Sequence, residues 1–256
     1  MKHGDFTLLA AEYINRPGYA LEALDIIAAY VKKTIGKDKL IVADVGAGTG
    51  KLTENLSQLG FLGYAVEPND AMRGEGIKYT EGMPFVWSKG TAEVTGLPPG
   101  SVDWVLMGSS FHWADTPVAL EEFARILTPG GFFTAIWNPR DIEKSELHRS
   151  IEEEIHKIVP KINRVSSGSS KNMKDMDEKI LSTKYFDNLF FMEVPFKEIM
   201  TKERYMGAWR SVNDIRVQAG EERFAQILDM IAAKVAPYDT IEVPYKARSW
   251  TVRAVI

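Results

Sequence analysis

The sequence predicts an α/β protein built on a doubly wound, mainly parallel sheet. Three observations predict it. Short, β-branched apolar runs alternate with helix-patterned segments between residues 40 and 137, the first run stops in a glycine-rich loop, and an acidic residue marks the end of each of the first three runs. Strands that alternate with helices need crossover connections, which set the strands parallel and cover both faces of the sheet. A chain of 256 residues, 45% hydrophobic and 26% charged, can bury one substantial core, so a single domain with an insertion is the simplest organisation.

The elements follow in order. Within residues 17–33, Leu21, Leu24, Ile27, Ala28 and Val31 share one helical face, and Lys32 and Lys33 close the last turn. Leu40-Ile-Val-Ala-Asp-Val45 is short and β-branched, as a buried parallel strand should be. Leu52, Leu56 and Leu59 then form a helical stripe that stops at Gly60. Further strands are expected at Gly63–Val66, ending in Glu67-Pro68, at Phe85–Trp87, at Val102–Met107 and at Phe132–Trp137. Between the last two lies a helix capped by Asp115 or Thr116, with Pro117 in its first turn. Leu120, Phe123, Ala124 and Leu127 form its buried face, and Thr128-Pro-Gly-Gly131 ends it.

The character changes after Asn138. Residues 141–160 are charged with a helical pattern, and Ser166-Ser-Gly-Ser-Ser170 reads as a flexible segment. Residues 140–188 are therefore expected to form a mobile cover over the sheet's C-terminal edge, between a cofactor-binding core at 35–139 and closing helices and a final strand at 189–256. In that last part Thr201–Val235 returns to helix, with Phe224, Ile227, Leu228, Ile231 and Val235 on one face. Glu242–Ile256 reads as a strand, placed at a sheet edge because Pro244 cannot donate to a ladder.

Composition narrows the function. A formal net charge of −4 without a basic run argues against nucleic acid as a partner. The absence of cysteine excludes disulfides, thiolate nucleophiles and cysteine-ligated metals. No pair of His or acidic residues has metal-ligand spacing, and no stretch approaches the ~20 apolar residues of a membrane span. The start of the chain has no apolar segment of signal-peptide type. The expectation is a cytoplasmic enzyme for a small molecule, monomeric or a homodimer, with neither membrane nor metal.

The chemistry centres on Asp44-Val-Gly46-Ala47-Gly48-Thr49-Gly50 between the first strand and its helix. Glycines let the backbone approach a ligand closely, and the helix start presents free N–H groups. The spacing is G-x-G-x-G, not the dinucleotide G-x-G-x-x-G, and Asp44 precedes it. A carboxylate repels a pyrophosphate. It attracts an ammonium or sulfonium by several kcal/mol, before desolvation, at an effective dielectric of about 20. Asp44 thus favours S-adenosylmethionine over NAD, unless it only caps the loop. Glu67, at the second strand's end, can accept from ribose hydroxyls, and Glu93 after the third strand can accept from an adenine amino group. A solvated loop position is the other reading of Glu93.

Together Asp44–Gly50, Glu67-Pro68, Gly90-Thr-Ala92-Glu93, Ser110-Phe-His-Trp113 and Leu127-Thr-Pro-Gly-Gly131 resemble the ordered motifs of class I S-adenosylmethionine-dependent methyltransferases. More narrowly they resemble the small-molecule branch that includes trans-aconitate methyltransferase-like proteins, whose N-terminal Tyr…Arg-Pro-x-Tyr segment is similar to Tyr13-Ile-Asn-Arg16-Pro-Gly-Tyr19. The resemblance covers about residues 10–138 together with the closing helix and strand. It implies a Rossmann-like, seven-stranded sheet with an antiparallel closing strand. It implies that Asp44 and the loop Gly46, Ala47, Gly48, Thr49 and Gly50 hold the methionine part of the donor. Glu67 with Pro68 would hold the ribose and Ala92 with Glu93 the adenine. Gly108 and Ser109 would line the donor, with Tyr13, Arg16 and Tyr19 closing over it. It supplies no motif within 140–188.

On the acceptor side, methyl transfer is an in-line displacement that needs alignment and exclusion of water. A carboxylate acceptor needs no base. A hydroxyl or ammonium does, and His112, whose ordinary pKa is near neutrality, is the candidate. Trp113, Trp137 and Asn138 follow the fourth and fifth strands and are candidates for the acceptor pocket, core packing being the other reading of the tryptophans. His3, His148 and His156 are read as solvated. An NAD-dependent oxidoreductase and a non-catalytic binder of the methyl donor are the competing functions.

Overall fold

In the computed structural model, residues 7–164 and 173–255 are described; the Ser166–Ser170 segment lies outside them. Seven strands form one sheet: β1 (Ile41–Val45), β2 (Leu62–Val66), β3 (Phe85–Ser88), β4 (Val102–Gly108), β5 (Leu127–Trp137), β6 (Phe186–Thr201) and β7 (Thr240–Ala254), in the order β3-β2-β1-β4-β5-β7-β6. β1 to β5 run parallel, and β7 is antiparallel to both of its neighbours. β1 lies between β2 and β4 and is covered on both faces, which is why its sequence is continuously apolar apart from Asp44. The strand order reverses between β1 and β4. In open α/β sheets a ligand crevice forms at such a switch point, beyond the strands' C-terminal ends.

Alternate residues along the strands sort into two cores. Val42, Trp104, Leu106, Phe132 and Ile136 pack under α2 (Leu21–Ile35) and α3 (Lys51–Gln58), against Leu24, Ile27, Val31, Leu52 and Leu56. Their neighbours Ala43, Val105, Met107, Phe133 and Ala135 pack on the opposite face under α5 (Thr116–Ile126), against Leu120, Phe123 and Ala124. The same alternation decides two residues expected at the acceptor pocket. Trp137 continues the row of Phe133 and Ala135 into the second core, fully buried with its ring 5.6 Å from that of Trp250. Asn138, one residue on, lines the cavity described below. Leu21, expected on the buried face of α2, is 41% exposed.

Asp115 caps α5, its carboxylate accepting the Val118 N–H, and Pro117 sits in the first turn. The chain leaves α5 at Ile126 and is already extended at Leu127, with an irregularity between the pairs Val102↔Leu127 and Trp104↔Phe132.

The closing part differs from the expectation. β6, sixteen residues long, is the edge strand, and β7 lies inside the sheet between β5 and β6. Pro244 is tolerated there because β7 outruns β5. Its carbonyl accepts from the Asp141 N–H (2.8 Å), so the side lacking a donor faces the 139–141 segment and not the β6 ladder. The paired ends of β6 and β7 project past β5 and carry α6 (Glu146–Ile158), α8 (Lys202–Arg210) and α9 (Asn213–Val235), with a third core of Ile151, Ile155, Tyr205, Trp209, Ile227 and Ile231. The predicted α9 stripe faces this core, Phe224, Ile227, Ile231 and Val235 buried and Leu228 packed at its margin. The cover over the sheet edge thus joins α6 to helices from the chain's last quarter. α7 (Met176–Ile180) packs in the sheet's own core instead, through Met176 and Ile180. No helix among the described residues is long and apolar enough to cross a membrane.

Candidate functional site

A cavity of about 660 Å³ opens at the switch point, between the C-terminal ends of β1, β2 and β4, the N-terminal segment and the cover. The volume suits a drug-sized ligand. Tyr13, Arg16, Tyr19, Asp44, Gly46, Ala47, Gly48, Thr49, Glu67, Pro68, Ala92, Glu93, Gly108 and Ser109 all line it, as do Trp113 and Asn138. Gly50, His112 and Trp137 do not. Gly50 is the left-handed N-cap of α3 (Lys51–Gln58) and turns the loop from behind.

Asp44 reaches the cavity from β1 and is 1% exposed. Its Oδ2 accepts the Thr53 hydroxyl at 2.6 Å, while Oδ1 is buried without a hydrogen-bond partner among the described residues. Burial, reinforced by the charge of Glu67 and opposed by Thr53, pushes its pKa up to about 7. A buried acceptor with an open lone pair is costly unless a ligand supplies a donor or a cation. The loop after it is fixed by the Gly46 and Ala47 N–H groups, both donating to the Val66 carbonyl (2.8 and 3.1 Å). Gly46 has φ of 70°, and a Cβ there would lie 2.7 Å from Ser110 Oγ, so both conformation and space require glycine.

Glu67 is 7% exposed. Oε2 accepts the Gly48 N–H (2.9 Å) and Oε1 the Asn69 N–H (2.8 Å). Each carboxylate oxygen keeps a second acceptor site. Burial raises its pKa, against those two donors and the charge of Arg73. Glu93 is not a free loop side chain: its Oε1 accepts the Asp115 N–H (2.8 Å), pinning the β3–β4 connection to the start of α5. Burial works against its charge, but this and other donors outweigh it and hold its pKa below the usual value.

At the end of β4, Ser109 takes a left-handed backbone (φ 54°), and its Oγ accepts the Tyr19 hydroxyl at 3.0 Å. Left-handed non-glycine residues gather at ligand sites. The Tyr19 ring lies on Gly108, where an added Cβ would be 2.5 Å from the phenol oxygen. The N-terminal segment is tied to the cover as well. Arg16 stacks on Tyr13 (4.3 Å) and donates to the Ser211 hydroxyl (2.8 Å) and carbonyl (3.1 Å). Arg210 pairs with Glu12 at 2.8 Å. Gly108→Ala is therefore expected to displace Tyr19 and weaken donor binding at a cost of about 1–3 kcal/mol, read by calorimetry. Unaltered affinity would show that Tyr19 does not close the site.

His112 packs at a tilt against Trp113, which lines the cavity (ring centroids 4.8 Å), and its Nδ1 accepts the Trp137 indole N–H (3.4 Å). One histidine expectation needs correction. His148 is not solvated. It is 2% exposed, its Nδ1 lies 2.6 Å from Ser145 Oγ, and burial with the nearby charge of Arg140 pushes its pKa down to about 4. His156 is exposed, and His3 lies outside the described residues.

Sequence reasoning missed the far wall, formed by Arg140, Glu152, Arg164, Asn213, Asp214 and Tyr245. Arg140 had a signal, two residues beyond Asn138 on the same sheet edge. Tyr245 belongs to β7, and the others sit on the cover, where no motif marks them.

Comparison with known proteins agrees with this geometry. Residues 43–135 match the family described as "Methyltransferase domain". An uncharacterized methyltransferase of Mycobacterium tuberculosis is 38% identical over 128 residues, which span 50% of this chain and 49% of that protein. A methyltransferase-like protein of Schizosaccharomyces pombe is 25% identical over 94% of this chain and 97% of its own length. The structure called "a Putative Type II Methyltransferase from Anaeromyxobacter dehalogenans" superposes with a TM-score of 0.65 at 20% identity, covering 92% of this chain and 97% of that one, which shows a shared fold. The matched stretch thus spans about half the length of the mycobacterial relative. The sheet order and the glycine loop are in keeping with the match of residues 43–135 to a methyltransferase domain.

Proposed function

We propose that this protein transfers a methyl group from S-adenosylmethionine to an oxygen or nitrogen of a small molecule held under the cover. The observation that carries the reading is Asp44: a buried carboxylate whose Oδ1 lacks a hydrogen-bond partner among the described residues, in a cavity lined also by the glycine loop and Glu67. A diphosphate there would face repulsion from Asp44 and Glu67 alike, which disfavours a dinucleotide. The residues fit the sulfonium donor. Asp44 and the loop Gly46–Thr49 would take its methionine part, Glu67 its ribose and Ala92 with Glu93 its adenine, while Gly108, Ser109 and Tyr19 would close over it.

When bound, the donor supplies an electrophilic methyl group for in-line displacement. The protein's task is alignment and exclusion of water. Tyr19 and Arg16 serve the second purpose by clamping the N-terminal segment to Ser109 at the end of β4 and to Ser211 at the α8–α9 junction. His112 adjoins the lining residue Trp113 without lining the cavity itself, and this reading favours an acceptor that needs no base. An acceptor already carrying a lone pair on an ionised oxygen meets that condition. The narrower likeness to trans-aconitate methyltransferase-like proteins, and a covering role for α6 (Glu146–Ile158) with α8 and α9, belong to the same proposal.

A screen with radiolabelled donor across carboxylic acids, phenols, sugars and amines tests it. Label should pass to one class with an equal yield of S-adenosylhomocysteine. Tight donor binding with no transfer to any class would instead make the protein a non-catalytic binder.

A further inference from the structure

We infer that the wall formed by the end of β5, β7 and the start of α9 is an oxyanion subsite, in which Arg140, with Tyr245 and Asn213, holds an anionic group of the methyl acceptor. The inference rests on the methyl-transfer reading of the same cavity and names its substrate class: small molecules bearing a carboxylate or a phosphate.

Three guanidinium groups line the cavity, and two are engaged. Arg164 donates to both oxygens of Glu152 (2.6 Å each) and pairs with Asp214 at 3.3 Å. Arg16 is bound to Ser211. Arg140 has no carboxylate within ion-pair distance among the described residues. It lies over the Trp209 ring at 4.2 Å and is hydrogen-bonded to the Tyr245 side chain. Burial opposes its charge, and the surrounding tyrosines and Glu152 restore it, so the group stays a cation. A cation held on the cavity wall with no carboxylate in direct contact is open to an anion that a ligand brings.

The position is rigid. Arg140 and Tyr245 form a main-chain bridge, flanked by Asp141 N–H to the Pro244 carbonyl (2.8 Å) and Lys246 N–H to the Pro139 carbonyl (3.0 Å). A guanidinium fork held this way can take a carboxylate or phosphate bidentately with little loss of freedom. Asn213, four residues beyond Trp209, is 5% exposed, lines the same cavity and has neither amide group hydrogen-bonded among the described residues. With one donor side and one acceptor side open, it can read a polar group next to the anion.

The test titrates the full chain, loaded with S-adenosylhomocysteine, with succinate, succinamide and inorganic phosphate. At least one anion should bind about tenfold or more tightly than succinamide, and the stronger of the two identifies the source of the oxyanion. Arg140→Met should cut the affinity for that anion by about 10- to 100-fold, the range for a charge-assisted hydrogen bond. Arg140→Lys should retain part of it, and S-adenosylhomocysteine affinity should be unaltered in both. If Arg140→Met fails to fold because Trp209 loses its stacking partner, Arg140→Lys and Asn213→Ala carry the comparison, each expected to weaken the anion more than the amide. Equal binding of succinate and succinamide, no binding of either anion, or undiminished anion affinity in the variants overturns the subsite. Weakened S-adenosylhomocysteine binding in Arg140→Lys overturns it too, by placing Arg140 on the donor's own carboxylate. Failure of the wild-type protein to bind S-adenosylhomocysteine is a different result, and it removes the methyl-transfer reading itself.

Discussion

Asp44→Asn is expected to weaken S-adenosylmethionine binding by about 100-fold or more while making the ligand-free protein more stable at pH 8. Truncating one partner of a buried charge pair costs about 2–5 kcal/mol of binding. The gain in stability follows from the same burial. The pKa of Asp44 rises from 3.8 to about 7 in the folded chain, with burial the largest cause. Folding therefore favours the protonated carboxyl. That contribution is fully present below the unfolded-state value and is lost as pH rises through about 7. At about 1.4 kcal/mol per pKa unit the difference amounts to a few kcal/mol. Asn keeps an acceptor for the Thr53 hydroxyl and has no charge to desolvate. Urea denaturation at pH 5 and pH 8 checks this: wild type should lose stability across the interval relative to the variant. Parallel pH dependences, or unchanged donor affinity, would contradict it.

Arg164→Met should destabilise the cover. Among the described residues Arg164 is the ion-pair partner of Glu152 of α6, it contributes to holding Asp214 at the start of α9, and these carboxylates have side-chain exposures of 15% and 2%. Removing the cation takes the ion-pair partner from Glu152 and one partner from Asp214 in a partly desolvated setting, a loss of the kind that costs about 3–5 kcal/mol when fully buried. Because Arg164 is itself 24% exposed, about 3 kcal/mol is the expected loss. Calorimetric melting should show it as a drop of roughly 6–10 °C. A melting temperature unchanged at pH 7.5 would show that the triad is surface decoration.

These effects lie at opposite ends of what sequence could reveal. Asp44 and its glycines were legible because strand, turn and helix are contiguous, and the sign of one charge separates the candidate ligands. Glu67 and Glu93 were legible as positions, but the hydrogen bonds that fix them to Gly48 and Asp115 come from other loops. Trp137 and Asn138 were named together, although period-two alternation along β5 sends them to opposite faces; that signal was present and not applied. β6 carried a comparable signal, Phe190, Met192, Val194 and Phe196 at every second residue, but as a half-buried edge strand it intersperses charges that blur the run. Pro244 misled because an edge is not the only place a strand lacks a neighbour: β7 outlasts β5, and its far end meets residues 139–141. Glu152, Arg164 and Asp214 form a site only after three separate segments pack, and no local pattern encodes that.

The account depends on a cationic donor, not a diphosphate, completing the first strand's carboxylate. Calorimetric titration of the purified chain with S-adenosylmethionine and with NAD under the same conditions tests it most directly. Saturable one-to-one binding of S-adenosylmethionine with no heat from NAD is the predicted result; saturable binding of NAD with none of the sulfonium compound would contradict it.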